Sequence, residues 1–452
     1  MKINEVLFVA FGSLGDVYPL MAIAKQLQKN KKVTFLANEY FRPYIEAAGI
    51  DYYPIGTVED QLAARETSVA SGDSAEGRRQ RFENVIGKSY KVTFEFIKQK
   101  VVNGAKFVVV THGNLSPAVL ACEAFNIPIV YTHYAPSQIL SNFEDSILCA
   151  SFYSDNAWWY RYVKIPFEVL KLKINFEVKE QFNSHRKSLG LPPIATPWQQ
   201  FLQKIKFKKC NSNAFGFRTP LNIVLAPFWF CEPIDKNIKD FHFSGFSFVD
   251  ELKGEQELAI DTFIQKHGSP IVFTPGTAVE DVQAFVDQII PICRKLGAPG
   301  IFCSKHGREA FNRLEKVDDV QLLYVEHANF SYLLPQSRCL IHHGGIGTVA
   351  QAIRAGIPQI VRPRMYDQPA NGVRVMMFGL GGSIFPHLFN ADTVADILHH
   401  IEQNPKNREL LAYYSGLVRS DDGVGNCCRI IEKYLETKEA NDAASIENCP
   451  AH

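Results

Sequence analysis

One stretch restricts this chain more than any other: SRCLIHHGGIGTVAQAIRAGIPQIVRPRMYDQPANG, from Ser337 to Gly372. The apolar run Cys339-Leu340-Ile341 reads as a buried strand. His342 and His343 follow, then a glycine-rich turn made of Gly344, Gly345, Ile346, Gly347 and Thr348. Val349 to Ala355 has the character of a helix, and Gly356 sits where a helix end favours glycine. Ile357 to Val361 reads as a second strand. It delivers a polar loop ending in Asp367-Gln368, and Pro369 suits the first turn of another helix. Strand, glycine turn, helix and strand in this order specify a unit of a parallel, doubly wound sheet.

The chemistry of the stretch points to phosphate. A strand that feeds a glycine turn into a helix leaves backbone N–H groups at the positive end of the helix dipole, where an anion is favoured. Gly345 and Gly347 let a bulky diphosphate approach the backbone. Thr348 and His343 add donors. One βα unit later, Asp367 and Gln368 offer a carboxylate and an amide side by side, a pair suited to vicinal sugar hydroxyls. Diphosphate first and sugar next suggest a nucleotide-sugar. A glycine turn of this kind also serves plain close packing of a helix on a strand. The double histidine and the Asp-Gln pair count against that blander use.

The pattern HHGGIGT…RAGIPQIVRP…DQ resembles the donor-binding segment of nucleotide-sugar glycosyltransferases of family 1. It is similar to the segment in sterol glucosyltransferases, glycopeptide-antibiotic glycosyltransferases and the rhamnosyltransferase of rhamnolipid synthesis. The resemblance implies an α/β fold of the GT-B type: two Rossmann-like domains facing a cleft, each a parallel sheet with helices on both faces. It implies an inverting hexosyl transfer from a UDP-glucose or dTDP-rhamnose type of donor to a hydroxyl of a hydrophobic acceptor such as a lipid, sterol or natural product. Thr277 matches a position whose hydroxyl and amide touch the diphosphate. Val325 and His327 match the loop that holds base and ribose, with His327 standing where many relatives have glutamine, so the base preference stays open. Relatives of the lipid type often carry both histidines. His343 is the favoured phosphate contact and His342 the less certain one.

The 452 residues are too many for one ordinary core, so two domains are expected. Their expected limits are 1–235 for an acceptor-binding domain and 236–414 for a donor-binding one. A helix at about 415–436 should pack back on the first, and a polar tail at 437–452 reads as disordered. A net charge of +1 offers no broad attraction to nucleic acid. The ten cysteines form no CxxC and no zinc-type array, and read as reduced thiols. No DxD pair occurs, so no catalytic metal is expected, and the nucleotide-sugar is a co-substrate rather than a cofactor. Met1 to Glu5 leads straight into a short strand, and no apolar run reaches the roughly 18 residues of a spanning helix. The expected location is cytoplasmic, with peripheral contact at the inner face of a membrane if the aromatic and basic run 157–173 lies on one.

Val6 to Phe11 is a strand that opens the first half. The turn Gly12-Ser13-Leu14-Gly15-Asp16 follows, with a helix expected from about Val17 to Lys29. The turn is GSLGD rather than GxGxxG, which argues against a nicotinamide dinucleotide. Asp16 alone reads equally as a helix N-cap and as a catalyst. G-S-L-G-D-x-x-P resembles the first loop of the same glycosyltransferases, where the aspartate is proposed as the base that activates the acceptor hydroxyl. By this resemblance Asp16 is catalytic, and Gly12 and Ser13 lie beside the donor. Leu14 departs from the basic residue of many relatives. His112 and His133 end strands at the ligand-binding edge, and Phe230 follows the strand Ile223 to Pro227, so all three are candidate acceptor contacts. A hydrogen-bonded structural histidine is the blander reading of His112 and of His133. The aromatic segment 134–173 suits an apolar acceptor pocket. Residues 57–81 read as a mobile polar loop. Two alternatives use the same fold: a nucleotide-sugar epimerase, which needs no acceptor pocket, and a catalytically silent nucleotide-sugar-binding partner protein.

Overall fold

The computed structural model describes residues 3–71, 75–113, 115–136, 176–193, 221–231, 241–249, 255–276, 282–315, 317–364 and 367–447. The described residues up to Phe248 form one compact unit with the C-terminal helix from Asp422. Val249–Asp421 forms the other.

The first unit is built on seven strands: β1 Glu5–Val9, β2 Lys32–Ala37, β3 Asp51–Pro54, β4 Phe107–His112, β5 Ile129–His133, β6 Leu221–Val224 and β7 Phe241–Phe243. All pair in parallel, in the order β3-β2-β1-β4-β5-β6-β7. β1, β4 and β5 are buried along their whole lengths, as strands covered by helices on both faces must be. Their uninterrupted apolar runs, LFV and FVVV, are what such burial requires. Phe8 and Phe35 stack at 5.9 Å on one face, and Leu7, Val9 and Val109 enter the cluster on the other with Tyr90 and Phe182. Each fully buried side chain of this size contributes roughly 2–3 kcal/mol. β7 lies beyond the boundary that sequence places at 235, and joins the first sheet through β6.

The second unit has six parallel strands: β8 Ile271–Thr274, β9 Gly300–Cys303, β10 Leu322–Val325, β11 Cys339–His342, β12 Gln359–Val361 and β13 Gly381–Ser383. Their order is β10-β9-β8-β11-β12-β13. Both sheets therefore reverse their winding once, between β1 and β4 and between β8 and β11. In a doubly wound sheet such a reversal opens a crevice at the carboxyl ends of the two strands.

The helix Pro405–Ser420 stays with the second unit. The helix ends before Asp421–Asp422, and a new one runs over Gly423–Glu447. This last helix lies on the first helix, Leu14–Leu27, where the Cys428 thiol meets the Ile23 carbonyl at 3.7 Å, and its Asn426 Nδ2 donates to Ser244 O, just after β7, at 2.9 Å. The polar segment from 437, read as disordered, continues this helix as far as Glu447. Residues 57–81, read as a loop, hold the helices Val58–Ser71 and Ala75–Phe82. A cap starts the first of them: Thr57 Oγ1 accepts from Asp60 N at 3.3 Å, and Asp60 Oδ2 accepts from Thr57 N at 3.3 Å. The described cysteines of both units are buried free thiols. Among the described residues no helix is long and apolar enough to cross a membrane.

Candidate active site

In the first unit the crevice at the reversal is filled by the GSLGD loop. β1 ends at Val9, Gly12 takes φ +99°, and the helix begins at Leu14 with Ser13 as its N-cap. Asp16 is thus not the N-cap weighed from sequence; it is the third helical residue and answers the cap from within. Its Oδ2 accepts from Ser13 N at 2.7 Å and from Ser13 Oγ at 2.9 Å. The spacing Ser-x-x-Asp is the reason, since the first turn of a helix leaves N–H groups that a carboxylate three residues on can reach back to. Both bonds use Oδ2. Asp16 Oδ1 makes no hydrogen bond among the described residues.

The loop is held from outside by two residues that sequence reading passed over. Gln61 Nε2 donates to Gly12 O at 2.6 Å, and Tyr134 Oη donates to Asp16 O at 2.6 Å. His112, at the end of β4, closes the group. Its Nε2 accepts from Phe11 N at 3.2 Å, which leaves the proton of the neutral ring on Nδ1. The ring stacks on Phe11 at 4.2 Å and lies 4.9 Å from that of Tyr134. Burial lowers the His112 pKa, against the pull of the Asp16 carboxylate.

A Cβ at Gly12 would lie 2.5 Å from Asp16 Oδ2, on a backbone conformation that side chains avoid. Gly12→Ala is therefore expected to cost about 1–3 kcal/mol and to swing the Asp16 carboxylate off Ser13. A thermal melt together with the transfer rate checks both effects.

Two acceptor candidates face elsewhere. His133 is buried, with Nε2 3.0 Å from Asn222 Oδ1 across β5 and β6 and its ring on Phe241. Burial draws its pKa down to about 4. Phe230 is 0% exposed because the short helix Phe228–Cys231 turns it inward against Trp229 and Phe246. The same turn leaves Phe228 54% exposed. The aromatic segment 137–173, with its membrane-surface run, lies outside the described residues.

In the second unit the crevice lies between β8 and β11. The helix Ile346–Ala355 starts earlier than the sequence reading, with Gly345 as an N-cap that has no side chain to offer, and ends at Gly356 in the left-handed conformation, φ +74°. Its first-turn amides are therefore without a side-chain cap. Gly347 is exposed with open space around it, and Thr348 is half-buried beside it.

The two histidines differ sharply. His342 is 0% exposed. Its Nδ1 accepts from Gly344 N at 3.1 Å, and its Nε2 pairs with Gln359 Oε1 at 2.9 Å. Both ring nitrogens are consumed inside the protein, so His342 has nothing left for a ligand, contrary to its inclusion among the donor contacts. Burial and the neighbouring His343 ring draw its pKa down to about 3. His343 sits at the surface of the crevice, half-buried. Its ring fills the space over Gly276 and Gly345, where an added Cβ would come within 2.7 Å of Cε1 and 2.5 Å of Nε2. Its Nδ1 is buried, and the ring interacts with the Thr274 backbone at the end of β8. Burial draws this imidazole down to about 4.

Asp367 precedes the helix Gln368–Met377. Its Oδ2 accepts from Asn371 Nδ2 at 2.7 Å, and Gln368 Oε1 accepts from Arg364 N at 2.9 Å. The carboxylate and the amide are thus adjacent, and both are held by the protein. Asn371 was missed in sequence; an Asp-x-x-x-Asn spacing at a helix start was its only signal. Val325 ends β10 with its side chain in the core, and His327 is exposed, its N–H donated to Gln256 Oε1 at 3.2 Å. Thr277 lies outside the described residues. Among the described residues no group of three or more His, Cys, Asp or Glu is placed to hold a metal.

Comparison with known proteins agrees with this geometry. Residues 6–133 match the glycosyltransferase family 28 N-terminal domain, and residues 312–415 match the erythromycin biosynthesis protein CIII-like C-terminal domain. A sterol 3-beta-glucosyltransferase of Arabidopsis thaliana is 23% identical over 95% of the chain, which spans 68% of that longer protein. The O-mycaminosyltylonolide 6-deoxyallosyltransferase of Streptomyces fradiae is 26% identical over 96% of this chain and 98% of its own. Among solved structures, the spinosyn forosaminyltransferase superposes with a TM-score of 0.64 at 14% identity, covering 96% of this chain and all of that one. The glycosyltransferase VinC, solved with dTDP, gives 0.61 at 15% identity with the same coverage. With two Rossmann-like sheets, each carrying a polar crevice at its reversal, and relatives that match along nearly its whole length, the chain is a GT-B nucleotide-sugar glycosyltransferase related to the sterol and antibiotic glycosyltransferases.

Proposed function

We propose that the protein transfers a hexose, with inversion and without a metal, from a UDP-glucose or dTDP-rhamnose type of donor to a hydroxyl of a hydrophobic alcohol. The observation that carries this reading is the glycine turn after β11. Uncapped helix amides, with the half-buried His343 ring beside them, form a site short of an anion. A diphosphate supplies the missing acceptors, and Thr348 and Thr277 add hydroxyl donors. Asp367 and Gln368 orient the sugar, while the backbone of Val325 and the exposed His327 border the nucleoside. In the first unit Asp16 Oδ1 takes the proton of the acceptor hydroxyl as the new bond forms. The anomeric carbon is attacked opposite the leaving nucleoside diphosphate. His343 and the helix amides stabilise the charge that develops there, a task a metal performs in other enzymes. His112, with its proton on Nδ1, borders the acceptor. A hydrophobic acceptor fits the exposed Phe228 and the sterol-acting relative.

A thermal-shift panel of nucleotide-sugars tests the donor. The right one at about 100 times its dissociation constant should add about 2.7 kcal/mol. Turnover with that donor and a sterol or long-chain alcohol, with the product's anomeric configuration read by NMR, tests the reaction. Retained configuration, or an epimerised sugar released without acceptor, would overturn the reading.

A further inference from the structure

Asn371 does more than start a helix. It is fully buried, and its Nδ2 donates in two directions, to Asp367 Oδ2 at 2.7 Å and to Gly344 O at 2.9 Å. Gly344 belongs to the glycine turn and takes φ +94°; a Cβ there would strike Val361 Cγ1 at 2.6 Å. Its N–H is already held by His342, which is held in turn by Gln359. A single buried chain of hydrogen bonds therefore runs from β12 through β11 and the turn to the Asp367 carboxylate. Gly344 is gripped at both its N–H and its C=O by side chains from different elements. A trans peptide is planar, so fixing Gly344 O also fixes the opposite direction of Gly345 N–H, at the helix start. This linkage gives His342, which cannot reach a ligand, a reason to stand beside His343.

We propose that Asn371 is a positioning residue that sets the Asp367 carboxylate for the donor sugar by tying it to the glycine turn. The proposal rests on the reading of Asp367 as the sugar contact. A bond from an amide to a charged carboxylate is strong and directional, and it narrows the rotamers open to the carboxylate. Asn371 then determines how much affinity the sugar adds to the nucleoside diphosphate.

The test compares dissociation constants by calorimetry for UDP against UDP-glucose and dTDP against dTDP-rhamnose, using the pair that stabilises the wild-type protein. In Asn371→Ala the sugar's contribution is expected to fall about tenfold or more, with the bare nucleoside diphosphate changed by less than about threefold. In an Asp367→Ala background the same substitution should have no further effect on that contribution, because the two residues act as one unit. Asn371→Asp keeps the shape of the side chain and sets like charges face to face. It should lose the contribution as well, and it serves if the alanine variant folds poorly. Equal weakening of both ligands in Asn371→Ala and Asn371→Asp would show a structural role only and overturn the proposal. If Asp367→Ala keeps the whole sugar contribution, the reading of Asp367 itself fails, whatever the Asn371 variants do.

Discussion

Asp16→Asn is expected to slow transfer by about 10²–10⁴-fold, the range that general-base catalysis supplies, while donor affinity stays unchanged. The choice of asparagine matters. The Asp16 carboxylate also accepts from Ser13 N and Oγ, and so helps to start the first helix. A carboxamide keeps an oxygen for those two bonds, whereas alanine would remove the cap and the base together. Asparagine isolates the proton acceptor, since its amide cannot take a proton at neutral pH. A single-turnover rate with saturating donor gives the chemical step, and calorimetry with the nucleoside diphosphate gives the donor affinity. A rate within twofold of the wild type would remove Asp16 from the mechanism. A fall in rate with an equal loss of donor affinity would mean that the loop, rather than the base, had been damaged.

The architecture was legible because buried parallel strands leave a plain mark. β1, β11 and β12 are short, largely apolar runs, expected at Val6–Phe11, Cys339–Ile341 and Ile357–Val361 and found at Glu5–Val9, Cys339–His342 and Gln359–Val361. The glycine turn, its helix and the Gly356 stop were equally open to reading, since each depends on local backbone chemistry. Side-chain direction was not. Whether His133 or Phe230 faces a ligand depends on the strand beside it or on the pitch of a four-residue helix. No local rule gives that. His342 and His343 are neighbours of one residue type, yet the strand's alternation sends the first to Gln359 and the second to the crevice. Gln359 itself, a polar residue within an apolar run, was the overlooked clue that one histidine had a buried partner. The helices of 57–81 were missed for a different reason. Their composition is polar, and the Thr-x-x-Asp spacing at Thr57 was not read as a cap.

The same distinction between structural and ligand-facing histidines makes the fold sensitive to acid. His133 in the first unit and His342 in the second are buried and neutral, with pKa values drawn from 6.5 to about 4 and about 3 by burial. Unfolding exposes both rings to water, where each takes up a proton below pH 6.5. The unfolded chain then binds more protons than the folded one, so stability must fall as pH drops from about 6.5 towards 4, and further for His342. A group displaced this far contributes about 2 kcal/mol of destabilisation between pH 7 and pH 5. For units of this size that corresponds to a melting temperature lower by about 4–8 °C for each histidine. Scanning calorimetry across pH 5–7 measures the slope. Glutamine can hydrogen-bond in place of imidazole but does not titrate, so the double variant His133→Gln, His342→Gln should melt with a flatter pH dependence even if it is less stable at pH 7. An unchanged slope in that variant would assign the acid sensitivity to other groups. A flat wild-type profile between pH 7 and pH 5 would mean that water reaches these rings in the folded state. The coupling of His342 to Gly344 adds a functional consequence. Protonating His342 removes the acceptor that holds the Gly344 N–H, but the folded ring stays neutral until the pH nears about 3, so between pH 7 and pH 5 the folded protein should keep its glycine turn and its donor affinity while its melting temperature falls.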